Sequence, residues 1–314
     1  YLRDFRGMKV APHQIIIGAG TEYLYGLLIQ LLGKNLIYGV ENPGYHKISK
    51  ICKSMGVTYR HVDLDESGVS IHELEEKKID IIHTSPSHHF PTGMVMPVSR
   101  RYELLRWAKE KSSRYIIEDD YDCEFRLYGR PIPPLQSIDS AEKVIYINTF
   151  SKTLAPTFRI SYMVLPVHLA SLFYEKLGFY SCTVSNFEQF TLAKFIEDGY
   201  FERHINRMRT YYRTKRDRLL HYLATCKAAP ALTVEGENSG LHFLLHLATQ
   251  ASDITLTQAA LTQGIQIKFL SDYYHDKTSD CSHTLLMNYT GLPDDELYPA
   301  LDTLFIALEP YLEL

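Results

Sequence analysis

Short, nearly unbroken apolar runs alternate with helix-period segments through the first half of this chain, and few folds accommodate that rhythm. Ile15-Ile16-Ile17 leads through Gly18-Ala19-Gly20-Thr21 into an apolar helix expected from Tyr23 to Leu32. Leu36 to Val40 reads as a strand, Tyr45 to Met55 as a helix and Val57 to Val62 as a strand. Ile79 to Thr84 is a further strand, Arg100 to Lys109 a helix, and Tyr115 to Glu118 and Val144 to Ile147 two more strands. Strands this uniformly apolar need cover on both faces, which predicts an α/β fold with a mostly parallel sheet between helices. In such sheets ligands collect where the strands end at their carboxyl termini.

The pattern changes after Pro166. A long helical region is expected from Asn186 to Leu223 with a break near Gly199. Strand-like pieces follow at Leu232 to Glu235, Leu241 to Leu247, Ile265 to Phe269 and Thr284 to Asn288, and a helix closes the chain from Asp294 to Leu308. The expected organisation is a large domain over 1–166, then an interdomain helix and a smaller α+β domain over 167–314. With 314 residues, 45% of them hydrophobic, both can build a core. A formal charge of -4 and a pI near 6.4 give no global case for nucleic-acid binding by this chain. Cys52, Cys123, Cys182, Cys226 and Cys281 are scattered, odd in number and without a C-x-x-C pair, which predicts a reducing cytoplasm rather than a disulfide framework or zinc site. Neither a signal peptide nor an apolar run of about 18 residues is present, so neither export nor membrane spanning is expected. A first residue that is Tyr1 rather than Met predicts a piece of a longer protein.

The chemistry concentrates at predicted strand tips. Thr149-Phe150-Ser151-Lys152 follows one strand and Arg159 closes the same stretch, while Glu118-Asp119-Asp120-Tyr121 ends the strand before it. A lysine can condense with an aldehyde, a carboxylate can hold a pyridinium proton, and hydroxyls with a guanidinium can hold a phosphate. Together these are what pyridoxal phosphate requires of a protein. A lone strand-end lysine is usually a solvated charge, but Thr149, Ser151 and Arg159 around Lys152 shift the balance. Partial desolvation beside a cofactor cation would make its amine more nucleophilic. Asp119 is the better candidate for the ring nitrogen and Tyr121 for the 3-hydroxyl, with Asp120 open to exchange with Asp119.

Gly20-Thr21 opens a helix directly after a strand, offering backbone amides and a hydroxyl to an anion. Taken alone it reads equally as an ordinary cap. Tyr45, after Pro43-Gly44, could lie on a cofactor ring or simply pack in the core. His88 and His89 sit in the loop Ser85-Pro86-Ser87-His88-His89-Phe90-Pro91-Thr92-Gly93. They lack a third ligand at suitable spacing, so no metal is expected there.

These strings resemble a known family. Ile116 to Phe125, Gly129-Arg130-Pro131-Ile132-Pro133, Thr149 to Lys152 through Arg159-Ile160-Ser161-Tyr162, the His88-His89 loop and His204-Ile205-Asn206-Arg207-Met208-Arg209 are similar to the aminotransferase-like domain of MocR-type regulators of the GntR superfamily. The likeness runs along essentially the whole chain and is strong toward the GABA-responsive member. It implies a pyridoxal-phosphate-dependent fold type I, an internal aldimine at Lys152 and a homodimer with sites at its interface. It also implies a winged helix-turn-helix for DNA that would precede this chain. By the same likeness Asp119 meets the pyridine nitrogen, Tyr121 the 3-hydroxyl, Tyr45 the ring face and Arg159 the phosphate or an effector carboxylate.

Two positions depart from the family pattern. Phe90 stands where aminotransferases carry the asparagine for the 3-hydroxyl, so His88 or His89 is expected to substitute. Lys47 stands where the GABA-responsive protein has an effector-holding arginine, and no arginine follows Arg218. Lysine is the poorer bidentate clamp, which argues against GABA and against efficient transamination. Arg159, Lys47 and His89 are the expected effector contacts. The function implied is an effector-sensing regulatory domain, in which an amino compound forms an external aldimine and shifts conformation. A working aminotransferase and a sensor of pyridoxal phosphate itself are the alternatives. Arg203, Arg207, Arg209, Arg213, Lys215, Arg216 and Arg218 on one predicted helix read as a solvated basic face or as a docking surface for DNA or its binding domain.

Overall fold

The computed structural model describes residues 1–127, 132–238, 240–276 and 283–314. Gly129, Arg130, Pro131 and Cys281, named above, lie outside them. The chain forms two compact units, the first built mainly from residues up to Ile205 and the second from Asn206–Leu314.

The first unit is an eight-stranded sheet in the order β1-β8-β7-β6-β5-β2-β3-β4. Its strands are β1 (Ile15–Ala19), β2 (Tyr38–Asn42), β3 (Tyr59–Asp65), β4 (Gly68–Val69), β5 (Ile81–Thr84), β6 (Tyr115–Asp119), β7 (Val144–Thr149) and β8 (Ile160–Val164). β3, β2, β5, β6 and β7 pair in parallel, whereas β8 runs antiparallel to both β7 and β1. β1 therefore points the same way as β7, and the expected mostly parallel sheet is present. The helices are α1 (Leu2–Arg6), α2 (Thr21–Leu32), α3 (His46–Met55), α4 (Ile71–Glu76), α5 (Val98–Lys109), α6 (Leu135–Ile138), α7 (Val167–Leu177) and α8 (Asn186–Glu197).

Strand periodicity divides the core between the two faces. Ile81, Ile117, Ile145 and Ile147 join Leu24, Leu27, Leu28 and Ile48 of α2 and α3 in one cluster. Ile82, Ile116 and Val144, each one residue out of step, join Leu74, Leu104 and Trp107 of α4 and α5 in another. Every residue of β5 and β6 is buried, the outcome expected for strands covered on both sides.

Two expectations are corrected. The boundary at 166/167 is not where the compact units divide, because α7 sends Leu169, Ala170, Phe173 and Leu177 into the first core. The division falls inside α9 (Tyr200–Thr225), and Gly199, with φ 72°, separates that helix from α8 as expected. The second unit carries an antiparallel sheet β11-β10-β9 from β9 (Leu232–Glu235), β10 (His242–Leu247) and β11 (Thr284–Asn288). Phe243, Leu245 and Leu285 of that sheet pack with Leu256 of α10 (Asp253–Thr262) and with Leu301, Leu304 and Phe305 of α11 (Asp294–Leu308). Residues 265–269 form no strand. Phe269 makes a single bridge to Leu285, and its amide then donates to Asp272 Oδ2 at 3.1 Å, turning the chain into a short 3-10 helix.

Leu28→Ala, at a fully buried position in the first core, should lower the unfolding free energy by about 2–5 kcal/mol. Phe187→Ala, exposed on α8, should change it by less than about 0.5 kcal/mol. Urea denaturation of both variants checks this pair.

Candidate functional site

One edge of the large sheet receives the carboxyl ends of β1, β2, β5, β6 and β7 and the start of β8. The expected site residues Gly20, Thr21, Tyr45, His88, Asp119, Tyr121, Thr149, Ser151, Lys152 and Arg159 all follow or flank those ends. They come from segments far apart in sequence, and the shared strand direction brings them to one rim.

Asp119 and Asp120 are separated by the pleat. Asp119 shares its face with Ile117, and on paired β5 the residue of matching phase is His83, whose Nε2 stands 3.5 Å from Asp119 Oδ2. Asp119 is buried, and its Oδ1 has no hydrogen-bond partner among the described residues. Tyr25 of α2 sets its ring edge against His83. Asp120 Oδ2, by contrast, is paired with the Arg6 guanidinium and accepts from Tyr146 Oη at 2.7 Å. That ion pair is almost wholly enclosed, with the two side chains 4% and 1% exposed. Glu118 is occupied too, accepting the amides of Leu135 and Gln136 at 2.6 and 2.9 Å at the start of α6. Burial and the Asp120 charge push its carboxyl up to about 7. Of the three consecutive acids, Asp119 is the one with neither an arginine partner nor a backbone donor among the described residues; its neighbour is the His83 imidazole.

Tyr121 Oη lies 3.2 Å from His88 Nδ1, and the same nitrogen lies 2.7 Å from Asp122 Oδ2. The ring of Tyr121 stacks on His88 at 6.1 Å. Burial, then the neighbouring carboxylates, raise the Tyr121 phenol well above its ordinary value, so it stays a protonated donor. His89 faces elsewhere, its Nε2 3.4 Å from Glu41 Oε2, while Thr84 Oγ1 donates to the other oxygen, Glu41 Oε1, at 2.6 Å. His88 is thus the histidine that joins Tyr121. Arg101, buried on α5, fixes this loop by donating to the carbonyls of Pro86 and Met96 at 2.8 and 3.0 Å.

Lys152 is exposed in the turn after β7, and its ammonium makes no hydrogen bond or ion pair among the described residues. Its neighbours are tied down: Ser151 Oγ donates to the Phe158 carbonyl at 2.7 Å, and Thr149 Oγ1 accepts from Ser161 Oγ at 2.9 Å. Both hydroxyls consequently brace the β7–β8 turn. Gly20 has φ 96°, and a Cβ there would fall 2.2 Å from Arg159 Nη2, so the guanidinium rests directly on the glycine that opens α2. Arg159 Nη2 and Lys47 Nζ both contact Glu22 Oε1, at 3.0 and 2.6 Å. The two expected effector-holding cations are therefore joined by a carboxylate the sequence reading passed over. Tyr45 is half exposed, edge-on to Phe90 at 6.0 Å. Gly44 before it is obligatory, since a Cβ would meet the Glu41 carbonyl oxygen at 2.1 Å.

The basic run on α9 is less open than expected. Lys215 and Arg216 are buried, Lys215 pairing with Asp294 at 3.0 Å and Arg216 donating to the Glu237 carbonyl at 3.1 Å. Arg213 donates to the Leu127 carbonyl. These three hold the second unit together, because long cationic stems pack while their heads cap carbonyls and acids.

His83, Asp122, Arg6, Glu41, Arg101 and Glu22 were not singled out from sequence. His83 left a signal, a histidine within an otherwise apolar strand. Asp120→Asn should cost about 3–5 kcal/mol of stability by leaving Arg6 buried without its counter-charge, whereas Asp119→Asn should cost less than about 1 kcal/mol. The raised Glu118 pKa favours the protonated folded state. That contribution is full below the ordinary value of 4.5 and is lost as pH rises to about 7. Glu118→Gln should flatten the fall in melting temperature across this window.

A family model for class I and II aminotransferases matches residues 1–277. The chain is 38% identical over 299 residues to the uncharacterized HTH-type transcriptional regulator YdeL of Bacillus subtilis, covering 95% of this chain and 63% of YdeL. It is 32% identical over 314 residues to the probable rhizopine catabolism regulatory protein MocR of Rhizobium meliloti, covering 98% of this chain and 63% of MocR. The chain thus spans less than two thirds of these regulators. The kynurenine aminotransferase of Pyrococcus horikoshii, solved with PMP, superposes with a TM-score of 0.81 at 26% identity, over 98% of this chain and 78% of that one. Among the described residues no helix is long and apolar enough to cross a membrane. A large mixed sheet with this rim, a separate small antiparallel sheet and these relatives place the chain in the class I and II aminotransferase family, with the pyridoxal-phosphate-dependent fold type I.

Proposed function

We propose that this chain is the pyridoxal-phosphate-binding, effector-sensing domain of a MocR-type transcription regulator. The observation that carries the reading is Asp119, buried on the sheet edge with Oδ1 unpartnered among the described residues and the His83 imidazole beside Oδ2, one strand away from a free Lys152. A buried carboxylate left in this condition is costly unless a positively charged group meets it. A protonated pyridine nitrogen answers that need. The regulator relatives, with 38% and 32% identity, support the regulatory half of the proposal.

Pyridoxal phosphate, when bound, supplies an aldehyde for amines and a ring that withdraws electrons from the attached carbon. Lys152 would hold the cofactor covalently, and its exposed position leaves it open to exchange with an incoming amine. Asp119 would keep the ring nitrogen protonated, with His83 beside it to limit the carboxylate's rotation. Tyr121, its phenol protonated and 3.2 Å from His88 Nδ1, would meet the 3-hydroxyl, with His88 standing in for the asparagine that Phe90 replaces. Gly20, Thr21 and Arg159 would take the phosphate, and Tyr45 the ring face. Ser151 and Thr149 act mainly through the turn they brace. An amino-containing effector would displace Lys152 and bias the conformation, in a homodimer whose DNA contacts come from a domain outside this chain.

The absorbance of the lysine-bound cofactor should shift when a cognate amine is added and releases the Lys152 amine, so a spectroscopic screen of amino compounds identifies the effector class. Borohydride reduction should fix the cofactor to Lys152, and Lys152→Ala should abolish that labelling. Colourless protein after incubation with the cofactor would sink the proposal. A second reading, a working aminotransferase, is favoured by the intact Lys152 and Asp119. It is opposed by the lack of any arginine after Arg218 to hold a substrate carboxylate in register. Multiple-turnover formation of an oxo acid would decide for it.

A further inference from the structure

Glu22 is the feature of the rim that a phosphate-binding role does not explain. It lies in the first turn of α2, beside the amides and hydroxyl that favour an anion, and it is itself an anion. Its Oε1 contacts Lys47 Nζ at 2.6 Å and Arg159 Nη2 at 3.0 Å, and its Oε2 receives the Thr21 hydroxyl at 3.4 Å. Gly20 allows the arrangement, since a Cβ there would crowd both Arg159 Nη2 and Glu22 Oε2. The Glu22 side chain is 38% exposed, so it can swing outward without leaving a buried void.

We propose that Glu22 is a built-in competitor for the phosphate subsite, a displaceable carboxylate that weakens phosphate binding and so sets how readily this chain gives up a phosphorylated cofactor. The inference rests on the phosphate site assigned above. A phosphate approaching Arg159 and Thr21 meets a like charge on the same two groups, and both cannot be satisfied by one guanidinium edge. Glu22 must yield Arg159, and Lys47 offers it a place to go without losing its charge partner. The arrangement loosens cofactor retention, a property suited to a sensor and unhelpful to an enzyme that keeps its cofactor through turnover.

The test compares the parent chain with Glu22→Gln and Glu22→Ala, titrated with three probes: pyridoxal phosphate, pyridoxal and inorganic phosphate. Calorimetry and absorbance give the affinities, and melting curves confirm that each variant is folded. Both variants should bind pyridoxal phosphate and inorganic phosphate roughly 3- to 10-fold more tightly, the size expected for removing a partly exposed charge contact. Pyridoxal, which can condense with Lys152 but carries no phosphate, should bind with unchanged affinity. Equal gains for pyridoxal, or phosphate affinities that stay level or fall, overturn the proposal. If no variant takes up pyridoxal phosphate, the proposed function fails, and the inorganic phosphate arm alone still decides the role of Glu22.

Discussion

The site depends on the pleat of a single strand. Successive residues of β6 face opposite sides of the sheet, so Glu118 and Asp120 are delivered to one environment and Asp119 to another. On one side wait the α6 amides and the Arg6 guanidinium, which satisfy two of the three carboxylates. On the other side lie His83 and the edge of Tyr25, and the third carboxylate is left chemically unfinished. A one-residue slip of β6 would exchange these roles and direct a different acid toward the rim.

Strand direction then assembles the rest. Because β1, β2, β5, β6 and β7 share a direction, their following loops gather at one edge, and antiparallel β8 returns Arg159 to the same place. Long-range pairings of this kind convert a linear scatter of polar clusters into one rim. The rim is rigid where it matters. Arg101 fixes the histidine loop, Ser151 and Thr149 fix the lysine turn, and Gly44 allows the close approach that sets Tyr45 beside Phe90.

The balance of charge around the rim bears on the proposed choice between sensing and catalysis. Retaining a cofactor firmly favours uncompensated cations at the phosphate, and holding substrates in register favours a bidentate arginine for their carboxylate. This chain shows a carboxylate across Arg159 and Lys47 and no arginine after Arg218. The Lys152 and Asp119 pair, by contrast, is kept. Under the proposed function, such a combination would preserve recognition of amines while relaxing the demands of turnover.

The amino-acid sequence by itself determined the alternation of strands and helices, the polar clusters at strand ends and the break at Gly199, because these follow from local periodicity and backbone preference. It also marked Lys152, Tyr121 and Arg159, whose residue types are rare together. It left Asp119 and Asp120 interchangeable, since both are acids at a strand tip and only packing against Arg6 tells them apart. It missed Glu22 and misjudged Lys215 and Arg216, because an exposed charge and a buried, paired one look alike until their partners are known. The reach of 265–269 was decided the same way, by Asp272 capturing a backbone amide that a strand would have used. Which groups meet across the sheet is a matter of long-range contact, and only the tertiary structure fixes that.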